Sequence, residues 1–168
     1  AKHLCAQGET TGGVNASAAR IGPRELREIH LPAVRACVEA GAASFMAAYN
    51  EIDGVYCHAN PWLLRNLLRE EYGFTGIVMS DGVAIDQLDA VTGDRTASGA
   101  LALASGVDLG LWDSAFGHLE EAVERGLVSS ARIDEAAARV LELKFRRGLF
   151  EEPYIPEDSR WQGYTPET

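Results

Sequence analysis

Four times in succession, a short apolar run gives way to a segment whose apolar residues return at helical spacing. The runs 42–49, 76–80 and 106–112 read as buried strands, and Lys2-His3 stands where an earlier one would end. The first helical pattern covers 24–40, with Leu26, Ile29, Ala33, Val34, Cys37 and Val38 on one face. Asn60-Pro61 opens the second with a capping side chain and a first-turn proline, and Leu63, Leu64, Leu67 and Leu68 follow at helical spacing. A weaker pattern lies within 87–105, another at 116–124, and a last amphipathic one at 131–147 carries Ile133, Val140, Leu141 and Phe145. Gly41, Gly73 and Gly126 stand where glycine commonly ends a helix. Pro32, inside the first pattern, predicts a kink or a split there.

Strands alternating with helices predict a parallel sheet with helices packed outside it. An open doubly wound sheet and a (β/α)8 barrel both satisfy the pattern. A barrel usually needs roughly 250 residues, whereas the chain has 168. About four βα units therefore make either an open sheet or half of a barrel. Past Gly148 the sequence Glu151-Glu-Pro-Tyr-Ile-Pro-Glu-Asp is too proline-rich and charged to continue the fold, and 151–168 reads as a linker.

Composition removes several functions. The chain is 46% hydrophobic, enough for a core, and its formal net charge is −10 without a Lys/Arg cluster, which disfavours a nucleic-acid partner. No run approaches the roughly 20 apolar residues of a membrane span, and no signal-peptide pattern is present. Cys5, Cys37 and Cys57 are odd in number and widely spaced, which supports neither a disulfide framework nor a zinc site and fits a reducing, cytoplasmic setting. No GxSxG, P-loop or GxGxxG motif occurs.

In both closures ligands bind at the carboxyl ends of the strands. Polar groups cluster at four such ends: Lys2-His3, Tyr49-Asn50-Glu51, Ser80-Asp81 and Trp112-Asp113. Asp81 is either a cap on the following helix or a catalytic carboxylate at the barrel mouth. Tyr49 and Met46 are either core residues or lining of a site, and His30, His58 and His118 have no partner at a telling spacing.

The ordered set of blocks resembles glycoside hydrolase family 3, the β-glucosidase and β-xylosidase group. It comprises Lys2-His3 with a Gly/Thr-rich loop, Arg24-Glu-Leu-Arg-Glu-Ile-His-Leu-Pro32, Met46-Ala-Ala-Tyr49-Asn-Glu-Ile-Asp-Gly54, Asn60 with Leu63-Leu64, and Val78-Met-Ser-Asp81. Gly106-Val-Asp-Leu and the stretch from Arg132-Ile-Asp-Glu-Ala to Gly148-Leu-Phe-Glu-Glu-Pro-Tyr154 complete it. The resemblance implies an α/β fold that is the C-terminal half of a TIM-like barrel over 1–150, with the first four units upstream and an α/β sandwich domain beyond the linker.

It further implies a retaining exo-β-glycosidase that acts on terminal β-D-glycosyl residues without cofactor or metal. Asp81 takes the nucleophile's position, Lys2 and His3 match the pair that grips sugar hydroxyls, Tyr49 matches the residue beside the nucleophile, and Met46 lines the same subsite. Lys2 and the Tyr49 hydroxyl are expected to favour the ionised Asp81. The resemblance places the general acid in the following domain and gives Glu51 a structural role. The chain departs from the family at Gly82, where Trp is frequent, and at Gly110-Leu-Trp112, where an acidic residue and Met are common. The N-acetylglucosaminidase branch carries a His in the loop after Lys-His, and the loop 7–22 has none. Other readings are a noncatalytic carbohydrate-binding relic, an open-sheet binding protein, and a barrel lyase using Lys2 as a Schiff base.

Overall fold

The computed structural model describes residues 1–154; the linker expected over 151–168 lies largely outside them. Helix formation starts at Pro23, whose missing amide costs nothing in a first turn. Helix α1 (Pro23–Glu25) runs through a π-helical segment, Leu26–His30, into α2 (Leu31–Glu39). Pro32 does not split this helix. The Leu31 amide reaches back five residues to the Leu26 carbonyl, and this wider turn makes room for the proline ring, a recognised use of π-turns. Strand β1 (Ser44–Met46) follows, then a hairpin of β2 (Glu51–Ile52) and β3 (Val55–Tyr56). After the π-helix Trp62–Glu71 come β4 (Ile77–Met79), α3 (Asp89–Thr92), α4 (Arg95–Ser105), α5 (Leu119–Glu124) and α6 (Ser130–Arg146).

β1 and β4 are parallel, with Phe45 opposite Val78 and Met46 opposite Met79. Single parallel bridges extend the order on both flanks, Leu4 to Ala47 and Met79 to Leu109. The Leu4 amide donates to the Met46 carbonyl at 2.8 Å and the Ala48 amide to the Leu4 carbonyl at 2.7 Å. Four segments thus lie side by side in sequence order, each parallel to the next, as the βα alternation predicts. Phe45 packs edge-on against Phe74, ring centroids 5.0 Å apart, so Ser44 and Met46 face the opposite side of the sheet. Gly76 is required where β4 begins: a Cβ there would lie 2.3 Å from the Ala43 carbonyl oxygen.

The fourth strand predicted at 106–112 is reduced to one bridge at Leu109, with the Asp108 amide donating to the Val78 carbonyl at 2.7 Å and the Ser80 amide to the Leu109 carbonyl at 2.9 Å; on either side of it side chains take over. The Val78 amide donates to Asp108 Oδ2 at 3.0 Å, and the Leu111 amide to Ser80 Oγ at 2.7 Å and Asp113 Oδ2 at 2.9 Å. The β2–β3 hairpin was not expected. Asp53-Gly54 turns it with φ of 49° and 84°, the pair of positive values that a tight hairpin turn demands.

The helices close over the sheet's outer side. The Leu63 amide donates to Asn60 Oδ1 at 3.0 Å, so the predicted cap is formed, and Leu63, Leu64, Leu67 and Leu68 are all buried. Beneath them Asp108, its side chain fully buried, receives Arg69 at 2.5 Å, Arg132 at 2.8 Å and Arg139 at 2.9 Å. Burial pulls Arg69 below its usual range, opposed by Asp108 and reinforced by Arg139 and Arg132. One carboxylate thereby links the strand end, the π-helix and α6.

Removing that carboxylate would leave three guanidinium groups without their shared anion. Asp108→Asn is expected to lower the unfolding free energy by about 3–5 kcal/mol, measured by urea denaturation. Arg24→Gln, which breaks an exposed pair with Glu28, should cost less than about 0.5 kcal/mol.

Candidate active site

The parallel order carries Lys2-His3, Tyr49, Asp81 and Trp112-Asp113 to one end of the sheet. Asp81 directly follows β4 and Ser80, whose side chain is buried. Its backbone amide donates to His58 Nε2 at 3.1 Å, and its Oδ1 accepts the Gly82 amide at 2.8 Å. The other carboxylate oxygen, Oδ2, is buried and has no hydrogen-bond partner among the described residues. His3 Nε2 approaches it to 3.4 Å.

That geometry differs from the geometry of a helix cap. A helix cap spends its oxygens on the amides of the following turn; here Asp113 does so instead. Its Oδ1 accepts the Ile85 amide at 2.7 Å, and its Oδ2 takes the Ser80 hydroxyl and the Leu111 amide. The two strand-end aspartates therefore differ in kind: Asp113 is saturated, whereas Asp81 keeps one desolvated oxygen unbonded. A buried carboxylate oxygen without a donor is costly, which makes it a functional candidate.

His58 was not singled out by the sequence, yet it sits directly behind Asp81. It lies in the turn Cys57–Ala59 and is 1% exposed. Burial holds its imidazole down to about 4, against the pull of the Asp81 charge. The ring is therefore neutral at pH 7, with Nε2 free to accept the Asp81 amide; a protonated ring would be a donor there and could not.

Tyr49 is half-buried beside Asp81. Burial, followed by the Asp81 and Asp113 charges, raises its phenol above the ordinary range, so it remains a proton donor. The Tyr49 hydroxyl bonds the Gly82 carbonyl, and the Asp81 carboxylate is a second acceptor within its reach. Lys2 is exposed and makes no ion pair with Asp81 among the described residues, so the expected ammonium contact is absent. Met46 is half-buried on the sheet face opposite Phe45. Glu51 belongs to β2, where its carbonyl accepts the Ala19 amide at 2.9 Å.

Two further anchors fix the site from below. Asn50, fully buried, donates from Nδ2 to the Cys5 carbonyl at 3.2 Å, joining the second strand end to the first. Cys5 and Cys57 are both buried free thiols. Burial raises Cys5, with Cys57 adding to it, and pushes Cys57 up to about 12. Among the described residues no group of three or more His, Cys, Asp or Glu side chains is disposed to hold a metal.

The neutral His58 makes folding pH-dependent. Its folded value, about 4, lies below the ordinary 6.5, so between those values the unfolded chain binds a proton that the folded chain does not. Stability contributed by the neutral ring is whole above pH 6.5, is lost as pH falls, and levels off below about 4. The total is about 3 kcal/mol. Urea unfolding at pH 7 and pH 4.5 is expected to show this loss in the wild type and a smaller one in His58→Gln.

The chain as a whole is similar to known proteins. Residues 1–143 match the model of the glycosyl hydrolase family 3 N-terminal domain. A β-xylosidase of Formosa agariphila is 34% identical, covering 90% of this chain and 22% of that protein. A periplasmic β-glucosidase of Salmonella typhimurium is 33% identical over 91% of this chain and 20% of its own length. The crystal structure of a Listeria innocua β-glucosidase superposes with a TM-score of 0.89 at 33% identity, covering 95% of this chain and 22% of that one. The chain thus spans about a fifth of the length of the curated relatives it matches. Its four parallel segments have the α/β fold of that TIM-barrel-like domain, and the chain belongs to glycoside hydrolase family 3.

Proposed function

We propose that Asp81 is the nucleophile of a retaining exo-β-glycosidase, of which this chain is the C-terminal half of the catalytic barrel. The observation that carries the reading is the buried, unbonded Asp81 Oδ2, 3.4 Å from His3 Nε2 at the convergent strand ends. An oxygen of this kind keeps its lone pairs uncommitted, as a nucleophile requires. The β-glucosidases and β-xylosidases among the relatives supply the substrate class, terminal β-D-glycosyl residues.

In the first step Asp81 Oδ2 bonds to the anomeric carbon as the bond to the leaving oxygen breaks. A carboxylic acid from outside this chain protonates that oxygen. Water, deprotonated by the same group, then cleaves the glycosyl ester and restores Asp81 with overall retention. Backbone anchoring does most of the positioning. His58 and the Gly82 amide hold the Asp81 turn, while Tyr49 fastens the Gly82 carbonyl. On this reading His3 and Lys2 donate to sugar hydroxyls, contacts that accelerate the reaction to the extent that they tighten in the transition state. Met46 lines the same space.

Treating the full-length protein with a 2-fluoro glycoside is expected to label Asp81, read by peptide mass spectrometry; label on another residue would refute the assignment. Asp81→Asn should reduce kcat by at least about a thousandfold. Because the acid is assigned to another part of the protein, residues 1–168 alone should turn over no aryl glycoside above background. Robust turnover by that piece, abolished by Asp81→Asn, would overturn the division of the site.

A further inference from the structure

Trp112 stands at the same strand end, and nothing described so far employs it. Its large ring is 84% exposed. Both neighbours in sequence are held firmly to the Asp81 side of the sheet. The Leu111 amide is bonded to Ser80 and Asp113, and its carbonyl accepts the Val83 amide at 2.9 Å. Asp113 in turn grips the Ile85 amide. Between these fixed points Trp112 takes a φ of 61°, a left-handed conformation that is a true outlier for a bulky side chain.

The ring's location gives that conformation a purpose. Indole atoms Cε3 and Cζ3 lie 3.7 and 3.9 Å from the point where a Cβ on Gly82 would stand, and Gly82 is the residue after Asp81. The six-membered ring therefore lies beside the turn that carries Asp81, while most of the residue stays exposed. Tyr49 Oη occupies the other near contact of Gly82, at 3.4 Å. Across the strand order, His3 flanks Asp81 from the first segment and Trp112 from the fourth. If His3 holds the sugar whose anomeric carbon meets Asp81, the group beyond the scissile bond is directed toward Trp112.

We propose that Trp112 is the platform for the leaving-group side of the substrate, stacking against the apolar face of the next pyranose ring or of an aryl aglycone. The inference rests on Asp81 being the nucleophile. An aromatic ring presents a broad, rigid apolar surface with little rotamer freedom to lose, which suits a ring-shaped group bound at an open mouth. Trp112 is thus a specificity-determining residue that acts on what is attached to the sugar.

The test compares kcat/KM for an aryl β-glycoside and a β-linked disaccharide with that for the glycosyl fluoride of the same sugar, which carries no ring beyond the scissile bond. In the full-length protein, Trp112→Ala is expected to lower the ratio of ringed substrate to fluoride by about tenfold, and Trp112→Phe to restore most of it. An unchanged ratio overturns the proposal. This holds whether both substrates lose rate together, as packing against another part of the protein would cause, or neither does. A wild-type protein that cleaves none of the three removes the glycosidase reading and this one with it. A cleaving wild type with an unaltered ratio removes this one alone.

Discussion

Asp108 holds the architecture together. Its carboxylate substitutes for a backbone carbonyl in the sheet by accepting the Val78 amide, and it gathers Arg69, Arg132 and Arg139 in the same buried space. A buried ion set is weak evidence of net stability, because desolvation offsets much of the attraction. What it does enforce is geometry. The π-helix and α6 can dock in only one register if three guanidinium groups are to meet one carboxylate, and that docking fixes β4. Since Ser80 and Asp81 directly follow β4, the ion set helps to determine from below where the Asp81 carboxylate stands.

Above it, the candidate site is held mainly through the backbone. His58 grips the amide of Asp81, Tyr49 the carbonyl of Gly82, and Asp113 the amides of Ile85 and Leu111. Side chains thus lock the turn while leaving the Asp81 carboxylate lightly bonded. Under the proposed function, this arrangement lets Asp81 form and break a covalent bond without dragging its supports along. Rigid support of a reactive side chain is also what keeps the reacting atoms within near-attack distance.

Much of this was legible in the sequence, for identifiable reasons. The helices, the Asn60 cap and the glycine ends rest on periodicity and local chemistry, and the structure reproduces them. The strand-end clustering of His3, Tyr49 and Asp81 followed from the parallel βα order. The supports were harder to see. Asp108 meets partners 24, 31 and 39 residues away, and no local pattern announces such pairings. His58 looked like any isolated histidine, because its meaning lies in a contact across 23 residues. Asp53-Gly54 did carry a readable hairpin signal, but strands of two residues on either side gave no alternation to confirm it. The Gly82 carbonyl as a partner of the Tyr49 hydroxyl was not foreseen, because a carboxylate and the next residue's carbonyl are indistinguishable at the level of sequence.

The paired burial of Cys5 and Cys57 has a practical consequence. One thiol follows the His3 segment and the other belongs to the His58 turn, so the two sulfurs mark the seam between the first strand end and the support of Asp81. Both are kept in the unreactive protonated form by their surroundings. Alkylation there would therefore clock how often this seam breathes apart, whereas the half-buried Cys37 on α2 would report only on its own helix.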